Sequence, residues 1–410
     1  VGRKRREEVR DEDVTGLKYF AKLRPMLDRL HEVGCQRDKA GNRQLHFDQY
    51  CALVLLYLFN PIVVSLRALQ QASELKKVQR LLRCPRAALG SLSESVHVFE
   101  PELLREIIAE LGEQLEPLAQ DPRLKDVRHT VTLIDGTLLK ALPRITAAMW
   151  LSSRTGNAHH AWRLHTQFEL DKHVPIAMTL TNGKNSGPSD EKTVLRTQLQ
   201  PERCCVMDRW YAQFTLFNAI QRAHSSCVCR VRDNSVFEAV EERPLSAADT
   251  AAGVLRDVVA NMGLLKPAAA RPDHPVRLVL VQVKPHEKRS GRKGNTGAGP
   301  SDGILRIATN LLDVPAEIIA LLYRYRYTIE LFFRFFKHIL GCRHLLSDDP
   351  RGIEIQTYSA IIACMLISLW TGRKPTLRTY EMICYYLMGW AEENELLAHL
   401  ARLQPHAPQS

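Results

Sequence analysis

Between residues 126 and 309 the apolar side chains of this sequence gather into short runs closed by turn residues, whereas on both sides they recur every three or four positions. A strand-forming middle with helix-forming flanks makes a chain of both element types, and the expected class is α/β. The runs are "HTVTLID", "RLHTQFEL" and "VPIAMTLTNG" (the last two a hairpin or meander across the turn-like "DKH"), then "PERCCVMDRWY", "CVCRVR", "VRLVLVQV" and "LRIATNL". A helical pattern returns at 213–224, and a basic loop, "KPHEKRSGRKGNTGAGPSDG", separates the last two strands. The loop's "GNTGAG" lacks the Gly-Lys-Ser/Thr of a phosphate-binding loop and opens no helix, so it is not read as one.

The flanks divide further. Residues 1–13 are nearly all charged and read as a disordered arm, with no secretory signal pattern. The chain opens on Val rather than Met, and a fragment and an alternative start both fit. Residues 14–125 read as a helical domain, a candidate DNA-binding unit. Its uncharged run, Gln49–Leu66, approaches membrane length, but Asn60-Pro61 interrupts it, which predicts two buried helices with Asn60 capping the second. Late in the chain "SAIIACMLISLW" reads as a buried helix whose dozen apolar residues are too short to span a bilayer. Residues 373–410 read as a helical tail.

Charge narrows the partner. With 56 Lys+Arg against 45 Asp+Glu the net charge is +11, a balance that suits a polyanion such as nucleic acid. The ten Cys are scattered without a C-x-x-C pair, as buried reduced thiols are. His159, His160, His165 and His173 have no partnering Cys or H-x-x-x-H spacing and read as packed or solvated rather than zinc-binding.

The stretch "YRYRYTIELFFRFFKHILG" from Tyr323 carries most of the chemistry. At about 100° per residue, Ile318, Leu322, Ile329, Phe333, Phe336 and Leu340 share a stripe roughly 60° wide. Tyr323, Arg326, Glu330, Arg334 and Lys337 share a neighbouring stripe about 80° wide. Read as one helix from Pro315 to a stop at Gly341, it buries one edge and aligns polar groups on the next; a plain amphipathic helix with an Arg326–Glu330 pair is the other reading. Two further acids, Asp135 and Asp208, directly follow apolar strand runs, where open sheets gather their chemistry. Three gathered carboxylates repel unless a cation holds them, and oxygen ligands suit Mg²⁺ or Mn²⁺. Arg326, Arg334 and Lys337 on the same face would hold phosphates, Tyr323 would pack on a sugar or base, and Lys284, Lys288, Arg289, Arg292 and Lys293 of the basic loop are candidate phosphate contacts.

At these residues the sequence resembles the DDE transposases of the fourth insertion-sequence family. The spacing of Tyr323, Arg326, Glu330 and Lys337 matches that family's Y-R-E-K motif without a gap, "LIDGT" at 133–137 resembles its first-Asp motif, and "VMDRWY" at 206–211 resembles its second. The similarity covers roughly 125–370. It implies a ribonuclease-H-like catalytic core in two parts, 126–226 and 310–372, around a β-rich insertion at 227–309. It further implies Asp135, Asp208 and Glu330 as ligands of two divalent ions, and Arg326 and Lys337 as contacts to transposon-end phosphates. The implied activity is cut-and-paste transposition on double-stranded DNA, both transposon ends and target, by a homodimer assembled on DNA in the bacterial cytoplasm at the nucleoid, without membrane attachment. Family members stack an aromatic from the insertion on a flipped base; here that segment offers only Phe237, with Trp210 and Tyr211 just outside it. A nuclease of the same fold and a catalytically inactive DNA-binding relative are the alternatives.

Overall fold

In a computed structural model the structure describes residues 18–33, 38, 41, 43–60, 63, 65–118, 121–140, 149–151, 159–283, 303–339, 346–347, 349–372 and 374–402. The chain forms two compact units, one of Val1–Leu118, Leu139–Ala161 and Phe333–Ser410, the other of Ala119–Leu138 and Trp162–Phe332.

The first unit is mainly helical. Its N-terminal helices are α1 (Lys18–Asp28), α2 (Phe47–Phe59), α3 (Leu66–Ser73), α4 (Lys76–Leu82), α5 (Leu89–Val98) and α6 (Glu102–Gln114). The break expected at Asn60-Pro61 is present, but its chemistry differs from the expectation. Asn60 is the C-cap of α2, extended at φ −125° and ψ 101°, as a residue before proline must be. The next described helix, α3, is capped by Ser65, whose Oγ accepts the N–H of Ala68.

The second unit holds most of a ten-stranded sheet. Its strands are β1 (Thr130–Lys140), β2 (Met149–Leu151), β3 (His159–Glu169), β4 (Val174–Asn182), β5 (Arg203–Met207), β6 (Ser226–Arg230), β7 (Phe237–Glu242), β8 (Val254–Met262), β9 (Val276–Gln282) and β10 (Ile304–Thr309). The order is β3-β1-β5-β6-β10-β9-β8-β7, with β4 on the outer side of β3 and β2 pairing with the first residues of β3. Leu170, at the end of β3, donates to the carbonyl of Val131, so β3 and β1 run in opposite directions. β1, β5 and β6 are mutually parallel, and from β6 to β7 every pairing is antiparallel. The strands of 227–309 thus continue the same sheet. β2, β7 and β8 are additional to the strands legible in the sequence. β7, "FEAVEE", is an exposed edge with Glu on it, which protects an edge from pairing but blurs the strand pattern.

Helices α7 (Glu191–Thr197), α8 (Phe214–Arg222) and α9 (Ala247–Ala251) connect these strands. Leu195, Leu216, Phe217 and Ile220 form one core with Met207, Cys205, Cys227 and Cys229 of β5 and β6. All eight cysteines among the described residues are buried free thiols, as the scattered spacing predicts.

The late helix is two helices, α10 (Ala316–Tyr325) and α11 (Tyr327–Ile339). They meet at Arg326, where Arg326 N–H bonds to Tyr323 O and Ile329 N–H to Arg326 O, the tighter i→i+3 pattern. Ile318, Leu322, Ile329, Phe333 and Phe336 are buried as the stripe predicts, and so are Phe332 and Phe335. Leu340 and the expected stop at Gly341 lie outside the described residues.

After α11 come α12 (Pro350–Thr371), α13 (Leu377–Met388) and α14 (Glu393–Arg402). α12 is longer than the dozen residues read from its apolar run. Pro350–Leu369 passes the length and composition of a bilayer span, and 89% of its apolar window is buried inside the protein, against α1, α2, α5 and α6. A helix apolar all round is what the centre of a bundle requires.

Candidate active site

Parallel pairing of β1 with β5 brings the first two acids together. The register runs from Thr130↔Arg203 to Ile134↔Met207. One step beyond this register stand Asp135, in β1, and Asp208, the residue after the end of β5. The four buried residues Cys204–Met207 hold β5 in the core, and the strand ends where Asp208 turns into a short 3₁₀ turn, Arg209–Tyr211. Asp208 caps that turn, its Oδ1 accepting the Trp210 N–H at 2.8 Å. Asp135 differs from the expectation in one respect: it lies inside β1, which continues to Lys140 after β5 has stopped. Its Oδ1 accepts the Gly136 N–H at 2.8 Å.

The third acid arrives from far along the chain. Arg326 Nη2 donates to Glu330 Oε1 at 2.6 Å, and Arg326 Nη1 lies 3.6 Å from Asp135 Oδ2. One guanidinium therefore bridges the β1 acid and the α11 acid. The Arg326–Glu330 pair of the plain amphipathic reading exists, but as part of this bridge. Tyr323 lies near Arg326, with the guanidinium carbon 6.0 Å from the ring centroid. Burial raises the Tyr323 pKa, against the opposing pull of Arg326.

Asp135 is under-neutralised. Burial pushes Asp135 up to about 7, opposed by the Gly136 N–H and Arg326 and reinforced by Asp208 and Glu191. The donors are oxygens only, the set a hard divalent cation prefers. They do not form a tight single-ion cage. Among the described residues, the group of three His, Cys, Asp or Glu ligand atoms within 4.8 Å of one another is His31, Glu32 and His46. Those two imidazoles are stacked at 3.7 Å and 11°, so no ion can lie in both ring planes, and the cluster is a packed pair.

The remaining expected residues are placed less centrally. Arg334 is exposed and Lys337 half-buried on α11, spaced from Glu330 so as to share its side of the helix. Lys284, Lys288, Arg289, Arg292 and Lys293 lie outside the described residues. Phe237 is half-buried beneath the guanidinium of Arg256, at 5.6 Å. Trp210 is 55% exposed with the Lys192 ammonium 4.8 Å from its ring, whereas Tyr211 is buried. His165 is packed, its Nε2 2.8 Å from Thr181 Oγ1.

Glu191 and Arg163 belong to this neighbourhood and carried no signal in the sequence, whereas Gly136 and Tyr211 stand within "LIDGT" and "VMDRWY". Glu191 is the first-turn acid of α7, after the capping Asp190.

The pH dependence follows from Asp135. Its pKa in the folded protein exceeds the ordinary 3.8, so folding tightens its proton. The stabilisation is present in full below about pH 4 and is lost as pH rises through about 7. Metal-free protein should therefore lose roughly 2–3 kcal/mol more stability between about pH 5 and pH 8 than Asp135→Asn does. Denaturant unfolding at both pH values measures this, and equal losses would show that Asp135 is not the strained carboxyl.

Residues 127–366 match the family model described as the transposase DDE domain. The chain is 23% identical over 245 residues to "Putative transposase y4zB" of Sinorhizobium fredii (strain NBRC 101917 / NGR234), across 60% of this chain and 62% of that protein. It is 25% identical over 207 residues to "Probable transposase for insertion sequence element IS5377" of Geobacillus stearothermophilus, across 50% of this chain and 48% of that one. The chain thus spans about half to three-fifths of the length of these curated relatives. Among solved structures, a piggyBac transposase synaptic complex with hairpin DNA aligns at TM-score 0.46 and 11% identity, over 96% of this chain and 86% of that one.

Proposed function

The chain belongs to the transposase DDE domain family, and on that premise we propose that it binds the ends of a mobile DNA element and cuts and rejoins phosphodiester bonds there, with Asp135, Asp208 and Glu330 as its catalytic carboxylates. The observation that carries this reading is the Arg326 bridge: Asp135 and Glu330, remote in sequence, share one guanidinium beside Asp208. The matching motif residues favour the Y-R-E-K group. The parallel β1–β5 pair, with one acid in β1 and one directly after β5, favours a ribonuclease-H-like core in 126–226 and 310–372, with 227–309 as a β-rich addition to its sheet and 14–125 as the candidate end-binding domain.

The three carboxylates would hold two divalent ions, Mg²⁺ or Mn²⁺, which when bound activate a water or a 3′-hydroxyl and stabilise the leaving oxygen. Arg326 pairs with two of the acids and would offer the same guanidinium to a phosphate oxygen of bound DNA. Tyr323 limits where that guanidinium can swing. Arg334 and Lys337 hold phosphates along α11, and the basic loop residues add contacts to end or target DNA. The assembly would be a homodimer on double-stranded DNA, acting by cut-and-paste at the bacterial nucleoid.

The test separates metal from phosphate ligands on one helix. Glu330→Gln should bind end DNA in Ca²⁺ at least as well as the parent and lose cleavage in Mg²⁺. Lys337→Ala should lose on both counts, with its salt slope flattened by about one. If Glu330→Gln loses binding while Lys337→Ala keeps both activities, the polar stripe is structural and the reading fails.

A further inference from the structure

We propose that Glu191 is a fourth carboxylate of this centre, a positioning residue that fixes the spacing of Asp135 and Asp208 and so sets how tightly the centre takes up divalent cations. The inference rests on the function proposed above.

Glu191 is buried, yet it does none of the work usual for an acid at a helix start. Asp190 caps α7, its carboxylate accepting the N–H groups of Lys192 and Thr193. The Glu191 side chain instead turns inward and meets three other segments. On β1 it packs against the backbone beside Asp135: a Cβ built on Gly136 would stand 3.1 Å from Glu191 Cδ and Oε1 and 3.4 Å from Oε2. On the turn after β5 it faces Tyr211, a fully buried ring three residues past Asp208, whose hydroxyl lowers the Glu191 pKa against the larger rise from burial. On β3 it is ion-paired with Arg163 Nη1. Its own backbone N–H is tied to Asn185 Oδ1 at 3.0 Å.

A single buried carboxylate thus touches the residue after Asp135 and the turn that begins at Asp208. If Glu191 moves, both segments lose a common support. A buried ion pair is a poor way to gain stability compared with a well-packed apolar pair. Its value lies in direction: hydrogen bonds and an ion pair fix where the carboxylate sits, and its charge adds to the oxygen-rich field that Asp135 and Asp208 present. Groups just behind metal-binding residues typically change metal affinity by about 10–100-fold when removed.

The experiment measures Mn²⁺ binding to the DNA-free full chain by calorimetry, together with the Mg²⁺ dependence of cleavage. Glu191→Gln should weaken Mn²⁺ binding at least about tenfold. The midpoint of its Mg²⁺ dependence should rise by a similar factor, while the rate at saturating Mg²⁺ falls by less. Glu191→Gln leaves Arg163 unpaired and risks unfolding, so Tyr211→Phe, which deletes one hydroxyl, provides the second arm and should shift both readings the same way. Wild-type Mn²⁺ affinity and Mg²⁺ midpoint in the folded variants would overturn the proposal. Asp208→Asn keeps the two readings apart: if it cleaves like the parent, the catalytic assignment itself is wrong. If Asp208→Asn is dead while the Glu191 and Tyr211 variants keep the parent's metal response, only the role of Glu191 falls.

Discussion

Asp208→Asn should remain folded and lower DNA cleavage at least about a thousandfold, roughly 4 kcal/mol of barrier. The amide is nearly isosteric, and its carbonyl can still accept the Trp210 N–H that Asp208 Oδ1 accepts now. The turn Arg209–Tyr211 and the burial of Tyr211 should therefore persist. What disappears is the negative charge adjacent to Asp135, and with it a strong oxygen ligand for a hard cation. Cleavage of end DNA in Mg²⁺, with a melting curve and Ca²⁺-supported binding on the same preparation, separates lost chemistry from lost folding. Near-normal cleavage would remove Asp208 from the centre.

The second large effect concerns stability. Arg277 on β9 is among the most buried residues, at 2% exposure, and its side chain grips Asp257 of β8 through Nε at 2.8 Å and Nη2 at 2.7 Å. Its remaining nitrogen, Nη1, donates to the carbonyls of Leu311 and Val314 in the segment that leads from β10 into α10. Arg277→Ala would strand a buried carboxylate and two carbonyls, and should cost about 3–5 kcal/mol. Denaturant unfolding measures the loss. The apolar pair Arg277→Met with Asp257→Leu should recover part of it, because the stranded charge is then gone, although the Leu311 and Val314 carbonyls stay unpaired. A loss below about 1 kcal/mol for Arg277→Ala would mean that water reaches the site.

The two cases show how unevenly the sequence displays this molecule. Strands β1, β3, β4, β5, β6, β9 and β10 were legible because each is a local apolar run with turn residues at its ends, and local patterns are what periodicity reads. The two faces of α10 and α11 were legible for the same reason, since the stripe of Ile318, Leu322, Ile329, Phe333 and Phe336 is set by helical geometry alone. β7 escaped because an exposed Glu-rich edge has no buried face to betray it. The Asn60–Ser65 connection was misplaced by a few residues because a proline stops one helix without saying where the next begins.

The sequence by itself determined the kinds of element, the order of the acids Asp135, Asp208 and Glu330, and the face on which Tyr323, Arg326, Glu330 and Lys337 align, because all of these depend on residues near one another along the chain. Only the tertiary structure decided that β1 and β5 pair in the register that sets Asp135 beside Asp208, that Arg326 spans Asp135 and Glu330, and that Glu191 and Tyr211 stand behind them. Strand register and buried hydrogen bonds join residues far apart in sequence. They are fixed by whichever long-range packing buries the most apolar surface while leaving the fewest polar groups unpaired, a condition no local window contains.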